Sequence, residues 1–206
     1  MDGKSRTGAV GHAIAGLATL QHGVVSRQQL RELGLWDSAI TARMESGYLQ
    51  PLFRGTFSVG HRAIARKGRM FAAALACGDG TVISHGSAAE LIGLWDKQLP
   101  VVHVIPPNWS GREIAGIRWH RVRLPPSDEF EIHDGIPCTT VSRTLVDMAG
   151  WTGWSSMRRL IEQAAILRLL DVDEIDRILA KDVVVERRAC GRFSPHGARR
   201  ANPRRS

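Results

Sequence analysis

The fold is decided by residues 22–60, whose sequence is HGVVSRQQLRELGLWDSAITARMESGYLQPLFRGTFSVG. Ser26 is followed three residues later by Gln29, which is the spacing of a helix capping box. This spacing predicts a short helix that begins after Ser26 and ends at Gly34, where glycine can supply the left-handed stop. A third helix is expected over 37–46, and an earlier one ends at about Gly23.

The predicted third helix has two different faces. Ile40 and Met44 are four residues apart and are expected to face the core. At about 100° per residue, the opposite face carries small or polar side chains, with Arg43 at its border. These outer residues are Ser38, Thr41, Ala42 and Glu45. The expected helix cap is Asp37 or Ser38. A short helix, a glycine turn and a second helix with such a face are typical of a helix-turn-helix.

A β-hairpin is expected directly after the third helix. Two short apolar runs, at 49–53 and 56–59, flank the pair Arg54-Gly55. A hairpin in this place is the wing of a winged helix, and Arg54 at its tip could reach a phosphate or a minor groove. Residues 10–60 are therefore predicted to form a winged helix-turn-helix DNA-binding domain.

Residues 61–180 show a different pattern, in which helical and strand-like segments are mixed. Helices are expected over 64–76, 87–94 and 157–169, with two more after the caps Thr140 or Ser142 and Asp171. Strands are expected over 81–84, 101–105 and 116–123, and Asp134-Gly135 is expected to be a turn. This mixture predicts an α+β fold, with a small mixed α/β domain after the winged helix.

The net charge of +8 is divided unevenly along the chain. Residues 1–70 carry +6, residues 71–186 carry −5, and residues 187–206 carry +7 from seven arginines. The basic first part favours phosphate as a partner, although a merely solvated basic face is the alternative. The Arg-rich segment 187–206 has few apolar residues and is predicted to be disordered.

We expect eight side chains to contact double-stranded DNA. Ser38, Thr41 and Arg43 would reach base edges or phosphates from the third helix. The other five would supply positive charge to the phosphates and make binding salt-dependent. They are Arg27, Arg54, Arg66, Lys67 and Arg69.

Other classes of protein are not favoured. The sequence has no apolar run of membrane-spanning length and no signal-peptide core, so a cytoplasmic protein is expected. It has no phosphate-binding loop, nucleophile elbow or HExxH motif, and its three cysteines have no zinc-ligand spacing. We therefore expect no enzyme, no metal and no cofactor. His85 could be a ligand or a base, but it more often caps or packs, and His103 and His120 are expected to be structural.

Several motifs, taken in order, resemble those of a known family. They are HGVVSRQQL (22–30), LGL (33–35), RGTFSVG (54–60), ALACG (74–78), SHGSAA (84–89), LIGL (91–94), HRVRL (120–124), DGIPCTT (134–140) and RTLVDMA (143–149). Over about 10–180 the chain resembles the AbiEi-type antitoxins of type IV, or abortive-infection, toxin–antitoxin systems. One departure is Trp36, which stands where such sequences usually have a Ser or Thr cap.

This resemblance implies a winged helix that represses its own promoter and a second domain that helps to neutralise a nucleotidyltransferase-like toxin. Many similar proteins also carry an endonuclease-like domain resembling very-short-patch repair enzymes, and this chain is expected to lack it. The first expectation is therefore an antitoxin-like autoregulator. The alternatives are a toxin-neutralising interaction module with little DNA affinity, and a truncated, non-functional relative of a nuclease-fused regulator. A homodimer stays open as a further partner, although no heptad strip is present.

Overall fold

The computed structural model describes residues 2–61, 63–108, 113–120, 122 and 125–190, with only the backbone described for 2–7 and 183–190. Within these residues the chain forms a mixed α+β fold with eight α-helices, one short 3₁₀ helix and two β-sheets. The expected α+β class is confirmed at this level.

The first half of the chain is built from three helices and a three-stranded antiparallel sheet. In chain order its elements are α1 (Asp2–Leu20), β1 (Val24–Ser26), α2 (Arg27–Glu32), α3 (Asp37–Glu45), β2 (Leu49–Phe53) and β3 (Thr56–Val59). The sheet order is β1-β3-β2, so the hairpin β2–β3 gains a third strand that the sequence patterns did not predict. Ile14, Leu30, Ile40 and Leu49 are fully buried between the helices and this sheet.

Of the two helix caps predicted in the first half of the chain, one is confirmed and the other is wrong, although α3 begins at Asp37 as predicted. At α2, the Ser26 hydroxyl accepts a hydrogen bond from the Gln29 amide at 3.1 Å, and the Gln29 side chain accepts one from the Ser26 amide at 2.9 Å. At α3, neither Asp37 nor Ser38 is the cap. Trp36 occupies the capping position and makes no side-chain cap bond, while Asp37 lies inside the helix and pairs with arginines of α2.

The second half of the chain adds five helices and a five-stranded mixed sheet. Its elements are α4 (Arg66–Cys77), β4 (Val82–Ile83), α5 (His85–Ile92), β5 (Val102–Ile105), β6 (Ile117–Trp119), the 3₁₀ helix (Ser127–Glu129), β7 (Phe130–His133), β8 (Ile136–Thr139), α6 (Val141–Ala149), α7 (Trp154–Ile166) and α8 (Val172–Cys190). The sheet order is β6-β5-β4-β8-β7, with parallel pairing in β5–β6 and β4–β8. Met70, Ile83, Leu145 and Met148 lie in its core.

Helix α4 joins the two halves. Val24 and Phe53 from the first sheet belong to the same buried cluster as Met70 of α4. Gly68 of α4 lies so close to the turn before β1 that a Cβ atom there would be 2.5 Å from the His22 carbonyl oxygen. The His22 ring also bonds the Asp134 carbonyl at 2.7 Å. The predicted boundary at 60/61 therefore lies next to an extensive packed contact.

The predicted basic tail lies almost entirely outside the described residues. The sequence places its start at 187, whereas α8 continues to Cys190. Residues 191–206 are not among those described. Within the described part of the chain, no helix combines the length and the apolar character needed to cross a membrane.

Candidate nucleic-acid interface and histidine cluster

The two faces of α3 are distributed as the sequence predicts. Ile40 is fully buried, and Met44 packs against the same core cluster. The residues of the outer face are all exposed, and they are Ser38, Thr41, Ala42 and Glu45. Because these side chains are short or polar, α3 presents a narrow helix surface that nothing in the described chain covers.

Two arginines of α2 meet a carboxylate at the start of α3. The Arg27 guanidinium bonds one Asp37 oxygen at 2.8 Å, and the Arg31 guanidinium bonds the other at 2.6 Å. These hydrogen bonds, first from Arg31 and then from Arg27, lower the pKa of Asp37 below its usual value. Arg27 also lies over the Phe57 ring, 5.5 Å from its centroid. Sequence reasoning missed Arg31, although its position four residues after Arg27 places both on one side of α2.

Trp36 lies beside this ion-pair group and is 81% exposed. A shallow hollow of about 310 Å³ is lined by Trp36, Arg31, Gly34, Leu35 and Asp37. Because the Trp36 indole is so exposed, its packing against the core contributes little to stability. The indole is therefore available for contact with another molecule.

The hairpin places Arg54 as predicted, while Arg43 is less available than expected. Arg54 is exposed at the turn between β2 and β3. Arg43 is half-buried, and its guanidinium donates a hydrogen bond to the Ala39 carbonyl at 3.0 Å, one turn earlier in α3. To contact DNA, the Arg43 guanidinium would have to give up its hydrogen bond to the Ala39 carbonyl or share it with the DNA.

The three basic residues of α4 contact other parts of this chain. Arg66 makes a two-pronged pair with Glu90 at 2.8 and 2.9 Å, and both side chains are largely buried. Lys67 pairs with Asp134. The Arg69 guanidinium lies 5.0 Å from the centroid of the Phe53 ring. Arg66 is largely buried with its partner, and all three residues lie on α4 rather than on α2, α3 or the hairpin. We therefore place the candidate interface on Arg27, Arg31, Ser38, Thr41 and Arg54.

The chain folds like a mycobacterial protein. It is similar to the crystal structure of the RV2827C protein from Mycobacterium tuberculosis, with a TM-score of 0.53 and 20% sequence identity. The similarity covers 82% of this chain and 70% of that one. At this identity it shows a shared fold and nothing about activity. No family model and no curated protein matches the chain.

A second group of polar side chains lies buried in the second half of the chain. His85 at the start of α5, His103 on β5 and His120 after β6 come together there. The His85 and His120 rings stack with centroids 3.4 Å apart, and His103 Nδ1 lies 2.8 Å from His120 Nε2. We call these three residues the histidine cluster. His85, one of the sequence candidates for a ligand or base, is 6% exposed.

A carboxylate of α6 approaches the histidine cluster. His85 adopts a left-handed backbone conformation with a φ of 50°, and its Nδ1 lies 3.7 Å from Asp147 Oδ2. That oxygen is buried and has no hydrogen-bond partner among the described residues, while Oδ1 is bonded by Arg143 at 2.7 Å. Burial raises the pKa of Asp147 to about 6, opposed by the Arg143 charge. In the described chain, no group of three or more His, Cys, Asp or Glu side chains could hold a metal ion.

Burial keeps the histidine cluster neutral at pH 7. It lowers the pKa of His85 to about 2 and the pKa values of His103 and His120 to about 4. After burial, the neighbouring histidines and three arginines lower these pKa values further, and the arginines are Arg66, Arg118 and Arg143. The neutral rings can therefore stack and exchange a hydrogen bond without repulsion.

We expect the free energy of unfolding to fall as the pH is lowered from 6.5 toward 4. In this window the unfolded histidines bind protons that the folded cluster rejects, so stability is full above pH 6.5 and is lost as pH falls. Asp147 acts oppositely between about 6 and 3.8, because its raised pKa makes the folded state bind the proton more tightly. Urea unfolding at several pH values measures how steeply the free energy of unfolding changes with pH. In the variant His120→Gln this pH dependence should be weaker. An unchanged pH dependence in that variant would show that the histidine cluster does not cause it.

Proposed function

We propose that this chain is a DNA-binding protein whose first half, residues 10–60, acts as a winged helix-turn-helix on double-stranded DNA. The observation that carries the proposal is the outer face of α3, which is exposed, narrow and polar while its opposite face is buried. The order of the elements supports it, since three helices precede a hairpin and the sheet order is β1-β3-β2. The charge of +6 on residues 1–70 supports it further.

In this proposal α3 enters the major groove and Ser38 and Thr41 face the base edges. Arg54 at the hairpin tip contacts a phosphate or the adjacent minor groove. Arg27 and Arg31 lie on α2, the helix that crosses the sugar–phosphate backbone in such complexes, and they contact phosphates. Binding then depends on salt, because every neutralised phosphate releases counterions.

The regulatory role is proposed on the resemblance to AbiEi-type antitoxins. We infer an autoregulator in the cytoplasm, which binds the promoter of its own gene and needs no cofactor. The second half of the chain would contact a nucleotidyltransferase-like toxin. These parts of the proposal rest on the motifs at 22–60, 84–94 and 134–149.

The variant Thr41→Glu tests the placement of α3. It adds a negative charge at the centre of the proposed DNA face, and we expect binding to DNA from upstream of the gene to weaken by at least about tenfold. The matched control is Ser155→Glu, which adds the same charge to an exposed position of α7 and should bind like the unmodified chain. Fluorescence anisotropy measures both. Equal affinities for the two variants would show that α3 does not face DNA.

A protein-interaction module is the second candidate function, and an exposed apolar surface favours it. Helix α7 and the residues that follow it expose Trp154 at 82%, Ile166 at 74% and Val172 at 58%. A hollow of about 490 Å³ adjoins Ile166 and Trp95. Large apolar side chains that are this exposed are common at protein–protein contacts. This surface lies on different elements from α3, so it is compatible with DNA binding.

A further inference from the structure

The ion-pair group of Arg27, Arg31 and Asp37 lies where the proposed DNA face needs positive charge. Each guanidinium is bonded to a different oxygen of the same carboxylate, so both oxygens of Asp37 are used. The side chains remain accessible, with exposed fractions of 36% for Arg27, 58% for Arg31 and 56% for Asp37. This group is therefore a surface feature that a ligand can rearrange.

Asp37 is expected to weaken DNA binding at this surface. A carboxylate repels phosphates, and it also holds two guanidiniums in a geometry set by α3 rather than by the DNA backbone. Asp37 is the first residue of α3, at the end of a recognition helix that contacts base edges. A phosphate that binds Arg27 or Arg31 must displace Asp37 or share the arginine with it.

We infer that Asp37 sets the selectivity of this surface by restraining Arg27 and Arg31 against non-specific phosphate binding; the inference rests on the proposed function. On an unrelated duplex the restraint stays in place, because nothing replaces the arginines as partners of the carboxylate. On a matching site, a cytosine amino group at the start of α3 gives Asp37 a hydrogen-bond donor, and the arginines can then turn to phosphates. Asp37 thereby lowers affinity for all duplexes and lowers it least where the sequence supplies that donor.

The experiment compares Asp37→Asn with Glu45→Gln in the full chain. Both remove one negative charge from an exposed position of α3, but Glu45 lies in its last turn, away from Arg27 and Arg31. Fluorescence anisotropy is measured with an unrelated duplex and with the duplex upstream of the gene, from 50 to 200 mM salt. Circular dichroism checks that both variants are folded.

For Asp37→Asn we expect affinity for the unrelated duplex to rise by on the order of tenfold, because two arginines become free for phosphates. The plot of log affinity against log salt should become steeper by roughly 0.9 for each added phosphate contact. The preference for the upstream duplex should fall. Glu45→Gln should change the affinities for the unrelated and the upstream duplex by the same factor, and this factor should be smaller than that of Asp37→Asn on the unrelated duplex.

Two outcomes overturn the inference in different ways. If the unmodified chain binds DNA but Asp37→Asn binds the unrelated duplex no more tightly than Glu45→Gln, the restraint by Asp37 is wrong and the proposed function stands. If neither the unmodified chain nor Asp37→Asn binds any duplex at 50 mM salt, the proposed function fails, and the inference fails with it.

Discussion

Replacing Arg143 by Met is expected to lower the free energy of unfolding by about 3–5 kcal/mol, the usual effect of removing one partner from a buried ionic group. The Arg143 guanidinium bonds Asp147 at 2.7 Å, Asp182 at 3.0 Å and Glu129 at 3.3 Å, and it thereby ties α6 to α8 and to the 3₁₀ helix. The Asp147 and Glu129 side chains are only 2% and 4% exposed. Methionine fills a similar space but leaves Asp147 without its counter-charge and Glu129 with only Lys181, at 3.3 Å.

Urea unfolding at pH 7.5 measures this loss, with Arg158→Met as the matched control. Arg158 also pairs with an acid four residues along its helix, Glu162 at 2.7 Å, but both side chains are more than half exposed. Surface pairs of this kind contribute about 0.3–0.5 kcal/mol, so the control should be nearly as stable as the unmodified chain. Similar losses in the two variants would contradict the structural role given to Arg143.

Replacing Gly68 by Ala is the second change with a large expected effect, and it should destabilise the chain by about 1–3 kcal/mol. Alanine normally favours a helix over glycine, so the local preference alone would give a gain. At Gly68, however, the added methyl would lie 2.5 Å from the His22 carbonyl oxygen, which is backbone and cannot rotate away. Relief of this contact requires α4 to move away from the turn before β1.

The control for Gly68 is Gly16→Ala in α1. Gly16 is exposed, and a Cβ there would meet no atom within 4 Å, so only the helix preference acts. This variant should gain up to about 1 kcal/mol, opposite in sign to Gly68→Ala. Thermal melts followed by circular dichroism compare the two. A gain in both variants would mean that α4 does not pack closely on the first half of the chain.

Local rules predicted much of the first half because its signals lie within a few residues of one another. The box formed by Ser26 and Gln29 and the two faces of α3 depend only on helix geometry. The hairpin of β7 and β8 was missed, apart from its turn, because Pro137 argues against a strand. In the structure Pro137 nevertheless lies within β8, paired in register with Ile132 of β7, and β8 lies between β4 and β7 in the sheet.

The site residues were harder to predict, because a charge in the sequence does not reveal its partner. Arg66 and Lys67 were expected to contact phosphates, yet their partners Glu90 and Asp134 lie 24 and 67 residues further along the chain. The histidine cluster has the same origin, since His85, His103 and His120 are brought together by the pairing of β5 with β6 and by the packing of α5 on β5. Contacts at such separations follow from the sheet topology, which local patterns do not specify.

The central claim is that the first half of this chain binds double-stranded DNA, and a gel-shift titration tests it most directly. The protein is a chain ending after Cys190, where α8 ends, so that five of the seven arginines in 187–206 cannot contribute. The probe is the duplex upstream of the gene, with unrelated duplex as competitor. The account predicts specific retardation that weakens about 40-fold between 50 and 200 mM salt, as expected for roughly three phosphate contacts. No retardation at 50 mM salt, or retardation that Thr41→Glu leaves unchanged, would contradict it.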